Sequence, residues 1–203
     1  AILGGAKVSD KLALVASLIE RVDRLLIGGG MAFTFLRAEG REVGRSLLEA
    51  DLVPTAARLL ASAKTRGVEI RLPVDTVIAV SPDALAGRPV PVSAIPATEM
   101  GLDIGPATIA AFAAALRDAG TIVWNGPMGV FERPPFAAGT LGLARAVAGA
   151  PGLSVVGGGD TVAAVEQTGV AAGIGYLSTG GGAFLEFLEG RALPGVAALD
   201  DRA

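Results

Sequence analysis

With 203 residues, of which 51% are apolar and 18% are charged, the chain is long enough for one domain with a real core, and its composition excludes a disordered or fibrous protein. A formal net charge of −3, together with the lack of any apolar run of roughly 18 residues, gives no reason to expect a nucleic-acid or membrane partner. Cysteine and histidine are both absent, which excludes thiol and imidazole chemistry and leaves lysine, carboxylates, backbone amides or a bound metal ion.

Short apolar runs alternate with stretches of helical periodicity, a pattern typical of βαβ units and a parallel sheet. The predicted strands are, in chain order, 2–3, 24–27, 69–72, 76–80, 121–124, 153–156 and 175–177. The predicted helices lie between and after them, at 12–19, 32–37, 52–66, 106–118, 139–148, 161–167 and 184–188. This alternation predicts a doubly wound α/β fold, Rossmann-like and three-layered, with a mainly parallel sheet.

The stretch 82–96 interrupts the alternation. It contains Pro82, Pro89, Pro91 and Pro96, which predicts an irregular segment or an edge strand. No linker-like run divides the chain, so we expect a single domain over residues 1–203. The chain opens on Ala1 without an initiator methionine or a signal peptide, which we interpret as a start within a longer, cytoplasmic protein.

Glycine clusters follow five of the predicted strands, beginning at Gly4, Gly28, Gly126, Gly157 and Gly180. The C-terminal ends of parallel strands lie at one edge of a sheet, and ligands bind there where the strand order reverses. Glycine lets the backbone approach a ligand closely, and the helix that follows directs free N–H groups at an anion. We therefore predict one crevice for a phosphorylated ligand. The P-loop and dinucleotide motifs are absent, so another phosphate-binding scheme is expected.

Two of the three lysines, Lys7 and Lys11, lie four residues apart after the first strand. This spacing places both on one face of the opening turn and helix. Two cations at a helix N-terminus oppose the helix dipole, which favours a bound anion over a merely solvated helix start. We therefore predict that both lysines contact phosphate.

Acidic residues follow two of the other glycine-rich turns. Asp160 comes directly after Gly159 and before Thr161, and an N-cap role alone would account for it. Beside a di-lysine phosphate site, however, this aspartate favours a carboxylate that holds Mg²⁺ against phosphates. Glu132 closes the segment 125–132 and is either a ribose ligand or an ordinary surface residue; its spacing does not decide between the two.

Together these segments resemble the C-terminal, nucleotide-binding domain of phosphoglycerate kinase. The matching blocks span the chain in order, at 2–11, 27–36, 72–75, 100–106, 123–132, 157–161, 178–183, 188–190 and 193–196. The resemblance implies a glycolytic phosphotransferase with a carboxyl-group acceptor. It would transfer a phosphoryl group reversibly between 1,3-bisphosphoglycerate and ADP, giving 3-phosphoglycerate and ATP, by positioning and charge neutralisation.

The resemblance also implies residue roles. Lys7 would be catalytic and stabilise the transferring phosphoryl group, at which the turn containing Gly181 and Gly182 would aim a helix N-terminus. Lys11 would hold the nucleotide α-phosphate, and Asp160 would hold Mg²⁺. The other implied nucleotide contacts are an adenine slot at Gly28, Gly29, Gly101 and Leu102, a border at Asn125 and Pro127, a ribose contact at Glu132, and a phosphate cradle at Gly158, Gly159 and Thr161.

Members of this family carry a second, N-terminal domain that binds phosphoglycerate and closes over the nucleotide. No counterpart of that domain is recognisable here, so we expect a monomeric chain that binds ATP or ADP with Mg²⁺ but has negligible turnover alone. The tail 200–203 would lack its packing partner. A stand-alone, non-catalytic nucleotide-binding or interaction module stays open as an alternative. A different phosphotransferase or a dehydrogenase is less favoured, because the motifs for both are absent.

Overall fold

The computed structural model describes residues 1–199. The strands are β1 (Ile2–Leu3), β2 (Arg24–Ile27), β3 (Glu69–Arg71), β4 (Asp75–Ala79), β5 (Arg88–Pro91), β6 (Met100–Ile104), β7 (Thr121–Asn125), β8 (Leu153–Gly157) and β9 (Tyr176–Ser178). The helices are α1 (Leu12–Ile19), α2 (Ala32–Ala38), α3 (Val53–Arg66), α4 (Pro106–Ala115), α5 (Ala138–Ala148), α6 (Gly159–Gln167), α7 (Gly181–Leu188) and α8 (Pro194–Ala197).

Six strands form a parallel sheet in the order β3-β2-β1-β7-β8-β9. From β1 the chain first adds strands on one side, and from β7 it adds them on the other, so the strand order reverses between β1 and β7. Leu3 pairs with both Ile27 and Asn125, which brings the C-terminal ends of the three central strands to one edge. All five predicted glycine clusters follow strands of this sheet.

Helices cover both faces of the parallel sheet, because neighbouring residues of a strand point to opposite sides. Ile2 and Leu26 pack in one cluster, and Leu3 and Leu25 pack in another. The first cluster contains residues of α4, α5 and α6, and the second contains residues of α1, α2, α3 and α7. The predicted three-layer, doubly wound α/β fold with a mainly parallel sheet is therefore confirmed.

The predicted strand at 76–80 lies outside the parallel sheet. As β4 it pairs antiparallel with β5 and β6 in a separate three-stranded sheet. The sequence reasoning did not predict β6, because Gly101 and Asp103 interrupt its apolar residues, although both are buried. The proline-rich stretch forms the edge strand β5, which confirms one of its two interpretations.

A carboxylate from this second sheet starts helix α4. Asp75 of β4 accepts hydrogen bonds from the backbone N–H of Ala107 (2.9 Å) and Thr108 (2.7 Å) in the first turn, which Pro106 opens. Residues 1–199 contain no helix that is long and apolar enough to span a membrane. The prediction for residues 200–203 lies outside the described part of the chain.

Candidate functional site

A cavity of about 430 Å³ lies at the C-terminal edge of the parallel sheet, a volume in the range of small-molecule sites. Its walls are the glycine turns after β1 and β2, the strand β6 and the segment 127–132. Much of the lining is apolar, with Phe33, Leu47, Met100, Leu102 and Val130. Four charged residues also line it: Arg45, Asp103, Glu132 and Asp160.

The glycine turns pack backbone against backbone at the point where the strand order reverses. The Gly5 N–H donates to the Pro127 carbonyl (2.9 Å), and the Gly29 N–H donates to the Met128 carbonyl (3.1 Å). Gly29 has a φ of +67°, and a Cβ there would lie 2.7 to 2.8 Å from atoms of Gly5 and Pro127. Glycine is therefore needed at this position both for its left-handed backbone and for the close approach.

Lys11 bridges the ends of β1 and β7 at this same point. Its Nζ donates to the Gly4 carbonyl (2.7 Å) and to Oδ1 of Asn125. Burial lowers the pKa of Lys11 from 10.5 to about 8, although the carboxylates of Asp10 and Asp160 act to raise it. The ammonium thus lies beneath the crevice, held by neutral oxygen atoms and close to a carboxylate.

Asn125 and Thr161 are buried in the wall behind the crevice. The Asn125 Nδ2 donates to the Gly157 carbonyl (2.8 Å), and the Thr161 hydroxyl accepts from the Gly126 N–H (2.7 Å). These bonds join the ends of β7 and β8 and the start of α6. In the structure their polar atoms therefore connect chain segments to one another.

Lys7 is exposed, and the loop that carries it is held by Glu49. The Glu49 Oε2 accepts from the N–H groups of Val8 and Ser9 (3.0 Å to Ser9) at the turn that leads into α1. Burial acts to raise the pKa of Glu49, but these hydrogen bonds outweigh it and bring the pKa below its ordinary value of 4.5. A carboxylate of the chain itself thus holds the turn into α1, and the nearby charge of Lys7 also lowers the pKa of Glu49.

Two helix N-termini meet beside the crevice. Gly158, at a φ of +96°, leads into α6, whose first turn contains Asp160. A Cβ at Gly181, the first residue of α7, would lie 3.8 Å from the Cα of Gly158, and Gly182 follows in the same turn. The starts of both helices therefore direct unbonded N–H groups and positive dipole ends to one region.

Asp160 is exposed at this convergence and lines the cavity. Residues 1–199 contain no group of three or more Asp, Glu, His or Cys side chains that could together hold a metal ion. A cation bound at Asp160 would therefore take most of its ligands from a bound phosphate compound or from water, as Mg²⁺ commonly does.

Asp103 of β6 lies under the cavity and is only 3% exposed. Its carboxylate accepts from the N–H of Ile104 (2.9 Å) and of Gly139 (2.6 Å), at the start of α5. Burial raises the pKa of Asp103 from 3.8 to about 7, against the lowering effect of these two donors. A buried carboxylate thus joins the second sheet to α5.

The structure places the predicted residues in two groups. Six of them line the cavity: Gly29, Gly101, Leu102, Pro127, Glu132 and Asp160. The others lie behind the lining or beside it: Lys7, Lys11, Gly28, Asn125, Gly158, Gly159, Thr161, Gly181 and Gly182.

The sequence reasoning missed Arg45, Glu49 and Asp103. Asp103 lies within the quoted block 100–106, where it could have been noticed as a charged residue among buried ones. Glu49 is 40 residues from the N–H group of Ser9 that it binds, so no local pattern marks it.

A larger cavity of about 580 Å³ opens at the opposite edge of the sheet. It lies between β2 and β7, at the N-terminal end of the two-residue strand β1, and Arg24 and Asp118 are among its lining residues. Those two side chains form an ion pair with each other. The smaller cavity is the better candidate site, because the glycine turns, the lysines and the helix N-termini are all at its edge.

The sequence model for phosphoglycerate kinase matches residues 1–191. The chain belongs to the phosphoglycerate kinase family. Over 203 residues it is 55% identical to phosphoglycerate kinase of Thermomicrobium roseum and 57% identical to that of Moorella thermoacetica. Each match covers 100% of this chain and 52% of the relative, so the chain spans about half the length of these curated relatives.

A solved phosphoglycerate kinase structure, from Coxiella burnetii, has the same architecture. It matches with a TM-score of 0.92 at 43% sequence identity, over 97% of this chain and 51% of that one. The family assignment therefore rests on sequence and on fold together.

Replacing Gly29 by alanine tests whether the glycine turns need their close packing. We expect Gly29→Ala to reduce the free energy of unfolding by several kcal/mol, of which the left-handed backbone alone accounts for about 1–2 kcal/mol. Gly40→Ala is the matched control, since Gly40 also has a positive φ (+84°) but has open space around its Cβ position. Urea unfolding followed by circular dichroism measures both, and equal losses would show that the packed turns relax freely.

Proposed function

We propose that this chain is the nucleotide-binding, C-terminal half of a phosphoglycerate kinase and binds ATP or ADP together with Mg²⁺. The observation that carries the proposal is the convergence of the Lys11 ammonium and two helix N-termini on one edge of a largely apolar cavity. A nucleotide matches this combination, since it has an apolar base at one end and anionic phosphates at the other.

The base is proposed to lie against flat backbone surfaces. Gly29 and Gly101 expose the main chain to the cavity, and Leu102 adds an apolar side chain. A Cβ at Gly101 would lie 2.1 Å from the ring of Phe33, so a larger residue there would have to displace that ring and reshape the slot. The exposed carboxylate of Glu132 suits a ribose hydroxyl donor, and the buried Gly28 and the half-buried Pro127 complete this end.

The phosphates are proposed to lie at the starts of α6 and α7, where N–H groups of Gly158, Gly159 and Thr161 lack helical acceptors. Lys11 would contribute its charge from below, exchanging a hydrogen bond to Gly4 or Asn125 for one to the α-phosphate. Asn125 and Thr161 would then act mainly by holding this cradle together.

Mg²⁺ is proposed to reach the site with the nucleotide. An exposed carboxylate at the cavity rim suits a hard divalent cation that keeps water and phosphate oxygens as its other ligands. Asp160 is the residue that would hold it. The ion would neutralise phosphate charge, and its binding here would depend on the nucleotide, because residues 1–199 offer no cluster of three or more ligating side chains.

For phosphoryl transfer, the chain would supply positioning and positive charge. Lys7 is exposed on a loop that Glu49 anchors, so its flexible side chain can follow the phosphoryl group between ADP and the acyl phosphate. The N–H groups of Gly181 and Gly182 would face the same group from the start of α7. No covalent enzyme intermediate is required, which agrees with a chain that lacks cysteine and histidine.

The acyl-phosphate substrate is proposed to be held by the other half of the protein, an N-terminal phosphoglycerate-binding domain. This chain spans about half of its relatives, and closure of two domains over the reacting groups excludes water. The chain alone would then bind nucleotide as a monomer without useful catalysis.

Calorimetric titration with ADP and Mg²⁺ tests the nucleotide site. We expect binding at millimolar nucleotide or below, and a loss of about tenfold or more in affinity for Lys11→Met and for Asp160→Asn, because the first removes a cation at the phosphates and the second a ligand of Mg²⁺. Lys64→Met is the control, since Lys64 is an exposed residue of α3 outside the cavity lining. Absence of binding at several millimolar nucleotide, with the protein folded, would refute the proposal.

The pH dependence of binding tests the position of Lys11. Phosphate selects the protonated ammonium, whose pKa in the free chain is about 8, so binding above that pH takes up a proton. We expect the affinity for Mg-ADP to fall about tenfold from pH 7 to pH 9. The Lys11→Met variant should show a flat profile over this range. The same slope in both proteins would remove Lys11 from the phosphate site.

A coupled assay for ATP formation from 1,3-bisphosphoglycerate tests the inactivity of the isolated chain. We expect turnover indistinguishable from background, because one domain cannot close over the reacting groups. Addition of a separately produced N-terminal domain should restore measurable activity. Turnover of the chain alone in the usual range for kinases, about 1–100 per second, would contradict the two-domain requirement.

A further inference from the structure

The buried carboxylate of Asp103 lies next to both walls of the cavity. One wall is β6, which carries Gly101 and Leu102, and the other is the segment 127–132. Asp103 belongs to the first wall, and its carboxylate contacts the second at Gly129, where a Cβ would lie 2.3 Å from Oδ1. It also binds the start of α5 through the Gly139 N–H (2.6 Å).

At two glycine positions this carboxylate leaves no room for a side chain. A Cβ at Gly139 would lie 2.1 Å from Oδ1 of Asp103, and one at Gly129 would be almost as close. Neither glycine has a positive φ, so backbone conformation does not require glycine at either position. The space that the carboxylate occupies is what excludes a side chain there.

The hydrogen bonds around Asp103 close a ring of three segments. The Val130 N–H donates to the Leu102 carbonyl (2.8 Å), which joins the two walls directly. The Met128 N–H donates to the Thr140 hydroxyl (2.9 Å), which joins the second wall to α5. Asp103 supplies the third side, from β6 to α5. The separation of the two walls thus depends on this carboxylate as well as on the direct bond between Val130 and Leu102.

We propose that Asp103 is a positioning residue for the base and ribose part of the nucleotide site. The inference rests on the proposed function, since it concerns the width of the same cavity. Asp103 would not touch the nucleotide's phosphates, which are assigned to the turns at β1, α6 and α7. Its loss would therefore weaken the recognition of adenosine and leave the recognition of inorganic phosphates intact.

Asparagine is the informative replacement, because it keeps the shape of aspartate and changes its hydrogen bonding. The carboxylate accepts from two N–H groups, one at each oxygen. In Asp103→Asn the amide group would face one of those N–H donors, so one contact is lost and the segment that carries it shifts.

Asp75 offers a matched control in the neighbouring strand. It too is a buried aspartate whose two oxygens accept from N–H groups at a helix start, here Ala107 and Thr108 of α4. It is also packed against a glycine, with the Cβ position of Gly105 2.3 Å from its carboxylate. Neither Asp75 nor Gly105 lines the cavity. Asp75→Asn therefore reproduces the structural defect at a carboxylate outside the cavity lining.

The test is to titrate Asp103→Asn, Asp75→Asn and the unmodified chain with Mg-ADP and with Mg-pyrophosphate. We expect both variants to unfold at lower urea concentration. Only Asp103→Asn should lose affinity for ADP, by about tenfold or more, since misplacing a binding wall by a fraction of an ångström has effects of this size. Its affinity for pyrophosphate should stay within about twofold of the unmodified chain.

Equal ADP affinities for the two variants, or equal losses for ADP and pyrophosphate in Asp103→Asn, would overturn the inference while leaving the nucleotide site in place. No ADP binding by the unmodified chain would overturn the proposed function and this inference with it. Should Asp103→Asn fail to fold, Gly139→Ala displaces the same carboxylate from outside the cavity, and Gly105→Ala is its control. The same selective loss of ADP affinity is then expected for Gly139→Ala alone.

Discussion

Three turns of the main chain pack against each other where the strand order of the parallel sheet reverses. A Cβ at Gly4 would lie 2.1 Å from the Pro127 carbonyl oxygen, and one at Gly126 would lie 2.3 Å from the Gly4 carbonyl oxygen. Gly29 completes the contact from the neighbouring turn. This close approach brings the ends of β1, β2 and β7 together. The packed turns form the floor of the cavity, and oxygen atoms of Gly4 and Asn125 accept hydrogen bonds from the Lys11 ammonium there. These glycines are therefore required for packing, and the candidate site is built on the turns that they allow.

Carboxylates from distant segments bind backbone N–H groups near three of the helix starts. The turn into α1 and the starts of α4 and α5 receive carboxylates from distant segments, from Glu49, Asp75 and Asp103 respectively. The starts of α6 and α7, which converge beside the cavity, have no side-chain cap. The first N–H groups of α6 and α7 therefore remain available to an anionic ligand. These N–H groups give the proposed phosphate cradle its electrostatic basis.

Local spacing was enough to predict where several of the candidate residues lie in the fold. The glycine clusters, the Lys7–Lys11 pair and Asp160 all follow strands of the parallel sheet, and parallel strands necessarily end at one edge. Six of the residues carried over from the family resemblance line the cavity, among them Glu132, for which spacing alone had left two interpretations open. Local spacing could not assign a role to Asp103, because its hydrogen-bond partner Gly139 is 36 residues away, in helix α5.

The sequence by itself determined the three-layer α/β class, the parallel sheet and the edge at which its glycine turns gather. Alternating strand and helix periods impose that arrangement through burial of both sheet faces. Only the tertiary structure decided that β4 and β6 pair in a separate antiparallel sheet, in which β6 forms one wall of the cavity, since that choice depends on pairing between strands some 25 residues apart. It also decided that the Lys11 ammonium turns inward while Lys7 stays exposed. The two lysines differ because the Lys11 ammonium is buried next to oxygen atoms of Gly4 and Asn125, a difference that their spacing in the sequence does not predict.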